Sequence, residues 1–310
     1  MPANPPPLRR RGIVFLVCAA CALHARGATT ETSPENARAN FARPITLAAD
    51  DVRTIPDAEP GFDTAQPAAT HGTLEQFEYR SQVTGTVRKA RVYLPTGYSP
   101  DRRYPVLYLL HGIAGNEHEW TGYVRADAVL DNLISAGQAV PMIVVMPNGR
   151  ALADDRPPPP EKLFTPENTI GFAKFEGDLL DSLIPAVDAK YATLADREHR
   201  ALAGLSMGGG QALNFGLAHL GTFAWVGGFS SAPTIRPPAE LIPDPATTQA
   251  SLRLLYLSCG NKDGLINASQ NLHRFLAERG VPHVWNVDGC GHDRETWANN
   301  LHHFAQRLFR

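Results

Sequence analysis

Cysteine is scarce in this chain: four in 310 residues, with Cys18 and Cys21 near the N terminus and only Cys259 and Cys290 beyond it. At most one internal pair can therefore form, and then only in an oxidising compartment. Excess charge of one sign is missing as well. The formal net charge is -2, and no block of like charges forms a tail, which argues against a nucleic-acid partner. No long apolar run follows the N-terminal segment, so no stable membrane insertion is expected. Internal repeats, metal-ligand clusters and phosphate-binding glycine loops are also lacking, and no metal or other cofactor is implied. What remains is an ordinary globular composition, 43% hydrophobic and 19% charged.

The N terminus reads as a targeting segment. Arg9, Arg10 and Arg11 precede an apolar run from Gly12 to Leu23, and small residues follow at Ala25, Gly27 and Ala28. That order is a signal peptide over residues 1–27, which predicts a secreted or periplasmic protein. Lipidation at Cys21 ranks low, because Cys18 stands where a small residue normally precedes a modified cysteine. Residues 28–71, rich in Ala, Pro, Thr and Asp without sustained periodicity, read as a leader or linker.

From residue 72 onward strands and helices alternate. Leu74–Tyr79 and Val87–Leu94 alternate apolar with polar residues, as half-exposed antiparallel strands do. Pro105–Leu110 and Met142–Met146 are short apolar runs that suit strands buried on both faces. Helical spacing marks Ala126–Ser135 and Phe175–Tyr191. Strands at Ala201–Leu205, Phe223–Phe229, Leu252–Leu257 and His283–Val287 follow, with helices from Met207, over Gln270–Arg279 and over Arg294–Leu308. The prolines at 157–160 demand a loop. The alternation predicts an α/β domain over 72–310, with a mostly parallel twisted sheet and helices on both faces.

Gly204-Leu205-Ser206-Met207-Gly208 matches G-x-S-x-G between a predicted strand and a predicted helix, the context in which a serine hydroxyl is lifted above a sheet. A serine needs a base to become a nucleophile, and the expected chain order is Ser, acid, His. His292 directly follows a strand in a glycine-rich turn, whereas His302 and His303 fall within the last helix and His118 comes too early. Asp263 follows the strand before it and leads as the orienting acid, with Asp288 and Asp293 as competitors. Developing negative charge needs two N–H donors: Met207, just after the serine, and Ile113, in the loop after the third strand. His111, at that strand's end, reads as a residue that orders the loop. Trp120 and the proline-rich loop beyond Arg150 are candidate pocket walls, with packing of Trp120 in its own loop as the alternative.

Five stretches carry a family likeness: ARVYLPTGY (90–98), YPVLYLLHGIAG (104–115), MIVVMPNGR (142–150), GLSMGGGQAL (204–213) and GHDRETWANNLHHF (291–304). Residues 72–310 resemble the esterases that include bacterial feruloyl and acetylxylan esterases, with features shared by esterase D and the mycolyltransferases. The resemblance implies an α/β-hydrolase fold and a triad of Ser206, Asp263 and His292. It further implies a small-molecule ester or an esterified cell-wall polysaccharide as substrate. Cys290 departs from any pattern expected of the family. If its strand neighbours that of Cys259, a Cys259–Cys290 disulfide would tie together the loops bearing Asp263 and His292.

Acyl transfer to a sugar hydroxyl uses the same residues and stays open as an alternative to hydrolysis. S-formylglutathione hydrolysis fits an exported chain less well. A non-catalytic carbohydrate-binding scaffold is disfavoured by the intact Ser206, Asp263 and His292.

Overall fold

The computed structural model describes Met1 and residues 33–310; the segment read as a signal peptide otherwise lies outside the described residues. Polar–apolar alternation forms the first two strands, β1 (Thr73–Arg80) and β2 (Val87–Leu94). The continuous apolar runs become strands buried on both faces: β3 (Val106–Leu110), β4 (Ile143–Pro147), β5 (Arg200–Leu205) and β6 (Trp225–Phe229). β7 (Leu254–Gly260) and β8 (Val284–Asp288) complete one sheet in the order β1-β2-β4-β3-β5-β6-β7-β8. β2 runs antiparallel to β1 and β4, and every other pair is parallel. Helices α1 (Pro34–Phe41), α2 (Ala126–Ser135), α3 (Pro166–Asp178), α4 (Ile184–Lys190) and α5 (Ser206–Ala218) are followed by α6 (Pro238–Leu241), α7 (Pro245–Ser251), α8 (Ile266–Glu278) and α9 (Arg294–Ala305).

Successive strand residues point to opposite faces, so β3 sends Val106, Tyr108 and Leu110 into one core and Leu107 and Leu109 into another. Phe175, Val187, Leu213 and Leu272 of α3, α4, α5 and α8 close the first. Leu130, Leu133, Leu301 and Phe304 of α2 and α9 close the second. The sheet thus has helices on both faces, as in the α/β-hydrolase fold.

The helix expected over Phe175–Tyr191 is longer and interrupted. It starts at Pro166, whose missing N–H costs nothing in a first turn, and a π-helical turn at Leu179–Leu183 joins α3 to α4. Gly171 hides its first turns from the apolar pattern, because the helix there lies so close to Arg150 that a Cβ would come within 2.9 Å of the Arg150 Cγ.

The segment read as a leader lies along the domain. Val52 accepts a hydrogen bond from the Val287 N–H of β8 (3.1 Å), and Thr54 and Ile55 donate to the Asn286 side chain (3.0 and 3.1 Å). The buried Asp51 carboxylate accepts from Trp285 Nε1 (3.0 Å), Gln270 Nε2 (2.6 Å) and the Ala48 N–H (2.6 Å). In the middle of the sheet, fully buried His111 joins the loops after β3 and β4. Its Nε2 accepts from the Gly149 N–H (2.8 Å), and its Nδ1 donates to the Gly112 carbonyl (2.6 Å). Burial pushes this imidazole down to about 4, so it stays neutral.

Two outcomes are expected. Asp51→Ala strands the Trp285 and Gln270 donors in a buried site and lowers unfolding stability by about 1–3 kcal/mol in urea titrations. The unfolded chain takes up a proton at His111 below about pH 6.5 while the folded chain does not, so stability falls as pH drops from there toward about 4. His111→Gln flattens that slope in denaturation measured across the same range.

Candidate active site

β5 delivers the chain to the rim of the sheet, where Ser206 opens α5 with φ +51°. A non-glycine residue in this region is strained, and the sharp turn holds it there. Its neighbours must be small. A Cβ at Gly204 would lie 2.4 Å from the Gly208 carbonyl carbon, and one at Gly208 would lie 2.4 Å from the Leu110 carbonyl oxygen.

The turn presents the Ser206 hydroxyl to the loops beyond β7 and β8. Ser206 Oγ lies 2.9 Å from His292 Nε2, and His292 Nδ1 lies 2.9 Å from Asp263 Oδ2. With Nδ1–H donating to the carboxylate, Nε2 is left to accept the serine proton. Asp263 is fully buried; its Oδ1 accepts from the Leu265 N–H (2.8 Å), and the Cys259 thiol sits 3.4 Å from Oδ2. Burial alone would raise this carboxyl, but the hydrogen bond and charge of His292 outweigh it and hold the group below its usual value. The two loops are laced together, with the Asn261 N–H donating to Asp288 O (2.9 Å) and the Lys262 N–H to Cys290 O (3.0 Å). Both competing acids are employed elsewhere. Asp288 accepts from the Cys290 N–H, Thr296 Oγ1 and Asn300 Nδ2, and Asp293 caps α9 through the Thr296 N–H.

Ile113 and Met207 both border the cavity over Ser206. Met207 lies in the first turn of α5, where N–H groups have no partner within the helix. The loop bearing Ile113 is fixed from two sides. Arg150 Nη2 donates to the Ile113 carbonyl (2.6 Å), and the Gly112 N–H donates to Glu119 Oε2 (2.6 Å). Burial raises the Glu119 carboxyl, with that N–H pulling the other way.

Two sequence expectations are corrected. Trp120 is no pocket wall: it is buried at 1% exposure in the second core, its Nε1 donating to the Leu110 carbonyl (2.9 Å). Cys259 and Cys290 do not pair. Cys259 lies opposite Val287 in the β7–β8 register and points into the core toward Asp263, whereas Cys290 lies three residues further on and faces Glu295. Both are free thiols.

The cavity over Ser206 has a volume of about 200 Å³. Its aromatic walls are Phe41, Phe164 and Trp297, and Glu119 also borders it. None of these was singled out from sequence. Glu119 stands one residue before the chosen Trp120, and Trp297 lies within the segment that carries the family likeness. Phe41 sits in a stretch with no periodic signal. The His292 ring lies between two of them, edge to face with Phe41 (5.4 Å) and Trp297 (5.2 Å).

Residues 81–308 match the protein family described as "Putative esterase". An endo-1,4-beta-xylanase/feruloyl esterase of Xylanibacter ruminicola is 34% identical over 261 residues, which is 83% of this chain but only 34% of that relative, so the chain spans about a third of its length. An acetyl esterase of Caldicellulosiruptor saccharolyticus is 25% identical over 227 residues, covering 62% of this chain and 78% of the relative. Among solved structures, a CE1 ferulic acid esterase from Anaeromyces mucronatus, in complex with ferulic acid, superposes with a TM-score of 0.71 at 26% identity, covering 85% of this chain and 98% of the other. A family match running from just after β1 to beyond the last helix, on a sheet of this topology, makes the chain a member of this esterase family with the α/β-hydrolase fold.

Proposed function

We propose that the protein is a serine carboxylic-ester hydrolase acting through an acyl-enzyme, with feruloyl or acetyl esters of plant cell-wall polysaccharide as its substrates. The observation that carries the reading is the hydrogen-bonded line from Ser206 Oγ through His292 to Asp263, each link 2.9 Å, opening on an apolar cavity. In this scheme Ser206 Oγ attacks the ester carbonyl while His292 Nε2 takes its proton, and ionised Asp263 stabilises the imidazolium. The carbonyl oxygen, now negative, is held by the backbone N–H groups of Met207 and Ile113. Collapse of the tetrahedral adduct breaks the bond to the alcohol, which leaves with the proton from His292. Water, activated by the same imidazole, then releases the acid and restores Ser206. The names borne by the Xylanibacter and Anaeromyces proteins favour a feruloyl substrate, and that of the Caldicellulosiruptor protein keeps acetyl in view. Export through the N-terminal segment belongs to the same reading, since polymeric cell-wall esters lie outside the cell.

Ser206→Ala is expected to lower kcat on p-nitrophenyl acetate and methyl ferulate by about 10⁴-fold or more with an unchanged melting temperature. A variant as active as the wild type would show that another residue is the nucleophile. Asp263→Asn retains the shape of the site but lets His292 take the wrong tautomer, which costs about 10⁴-fold in kcat. Its stability tells the same story in a second way. Because the folded carboxyl titrates below 3.8, its contribution is complete above the unfolded value and disappears as pH falls through the folded one. The stability gap between wild type and Asp263→Asn should therefore close on acidification below about pH 4.

A further inference from the structure

Helix α1 belongs to none of the elements that supply the proposed triad, yet it forms one side of the cavity above Ser206. Asn36, Ala37, Asn40 and Phe41 border that space, at spacings that put them on one helical face. The helix is locally specified: Ser33 Oγ accepts from the Asn36 N–H (3.1 Å) and Pro34 occupies its first turn. Its C-terminal end is seated on the loop that carries Asp263. A Cβ on Gly264 would come within 2.5 Å of the Phe41 carbonyl oxygen, so only glycine lets the helix end reach this position.

Phe41 itself is 45% exposed, an unusual state for a phenylalanine in contact with a buried site. Its ring meets His292 edge to face and stands at the rim of the cavity, with Phe164 and Trp297 on other sides. An acetyl group offers two carbons and no ring, whereas a flat aryl-propenoyl group carries a ring that can pack against an aromatic wall. Such a group would cover the open ring and gain an aromatic contact beyond its buried area.

We infer that α1 is a specificity wall contributed by the leader, and that Phe41 selects an aromatic acyl group over acetyl. The inference rests on the proposed esterase activity and names the element that sets its acyl preference. It is tested on the full chain by comparing kcat/KM for p-nitrophenyl ferulate and p-nitrophenyl acetate in wild type, Phe41→Ala and Phe41→Tyr. The ferulate-to-acetate ratio is expected to fall about tenfold in Phe41→Ala, chiefly through KM, and to return in Phe41→Tyr. Calorimetry of free ferulate with Ser206→Ala and with Ser206→Ala/Phe41→Ala supplies a readout that needs no turnover, with weaker binding expected in the double variant. An unchanged ratio overturns the inference, and so does an equal fall for both esters, which would make Phe41 a support for His292 alone. In either case the activity lost in Ser206→Ala still upholds the esterase reading. A wild type that neither cleaves the feruloyl ester nor binds ferulate overturns the aromatic preference and the feruloyl reading together, and leaves acetate cleavage to judge the triad.

Discussion

Everything at the site hangs on the backbone turn at Ser206. A residue with a side chain held at φ +51° between a buried strand and a helix is strained, and the strain persists because packing on both sides admits no alternative. Gly204 and Gly208 make that packing possible by letting the turn touch itself and the carbonyls that end β3. The hydroxyl consequently stands clear of the sheet at a fixed height, and the loops after β7 and β8 need only bring an imidazole to it. Their mutual lacing through Asn261, Asp288, Lys262 and Cys290 makes the loops bearing Asp263 and His292 a single unit.

Charge is handled with similar economy. Asp263 is fully buried, and it remains ionised because His292 and the Leu265 N–H supply more stabilisation than burial removes. Cys259, beside it, is driven the other way: burial and the Asp263 charge push its thiol well above the usual range. A neutral S–H next to a carboxylate is a weak donor, and a thiol held neutral is a poor nucleophile. The absence of a bridge to Cys290 thus leaves the acid loop with one more donor.

The parts legible in the sequence were those governed by local chemistry. Apolar runs such as VLYLL marked central strands because a strand covered on both faces has no polar side to show. Gly-x-Ser-x-Gly marked its turn because few residues tolerate that crowding, and the order Ser, Asp, His follows from the order of strands in the sheet. What was not legible depends on side-chain direction and distant contacts. Trp120 and Glu119 are neighbours in sequence, yet one enters the core behind β3 and the other borders the cavity. Cys259 lies on β7 and Cys290 just beyond the adjacent β8, and they still face apart. The first turns of α3 were missed because Gly171 interrupts the stripe for the sake of a close approach. Residues 51–58 carry no periodicity of their own and take their partners from β8 and α9, more than two hundred residues away.

That separation has a consequence for the order of assembly. The strap around Val52 pairs with the outer edge of β8, a strand more than two hundred residues further along the chain. Closing so large a loop is slow compared with pairing β1 to β2 or docking α5 on β5. The strap is made more than two hundred residues before the strand it covers. Until it docks, β8 presents an unpaired edge to any other strand in reach. The far edge of the sheet, β1, relies instead on the charges of Glu75, Glu78 and Arg80. One rim of the molecule is guarded by composition from the start, and the other stays open to association until the chain has come full circle.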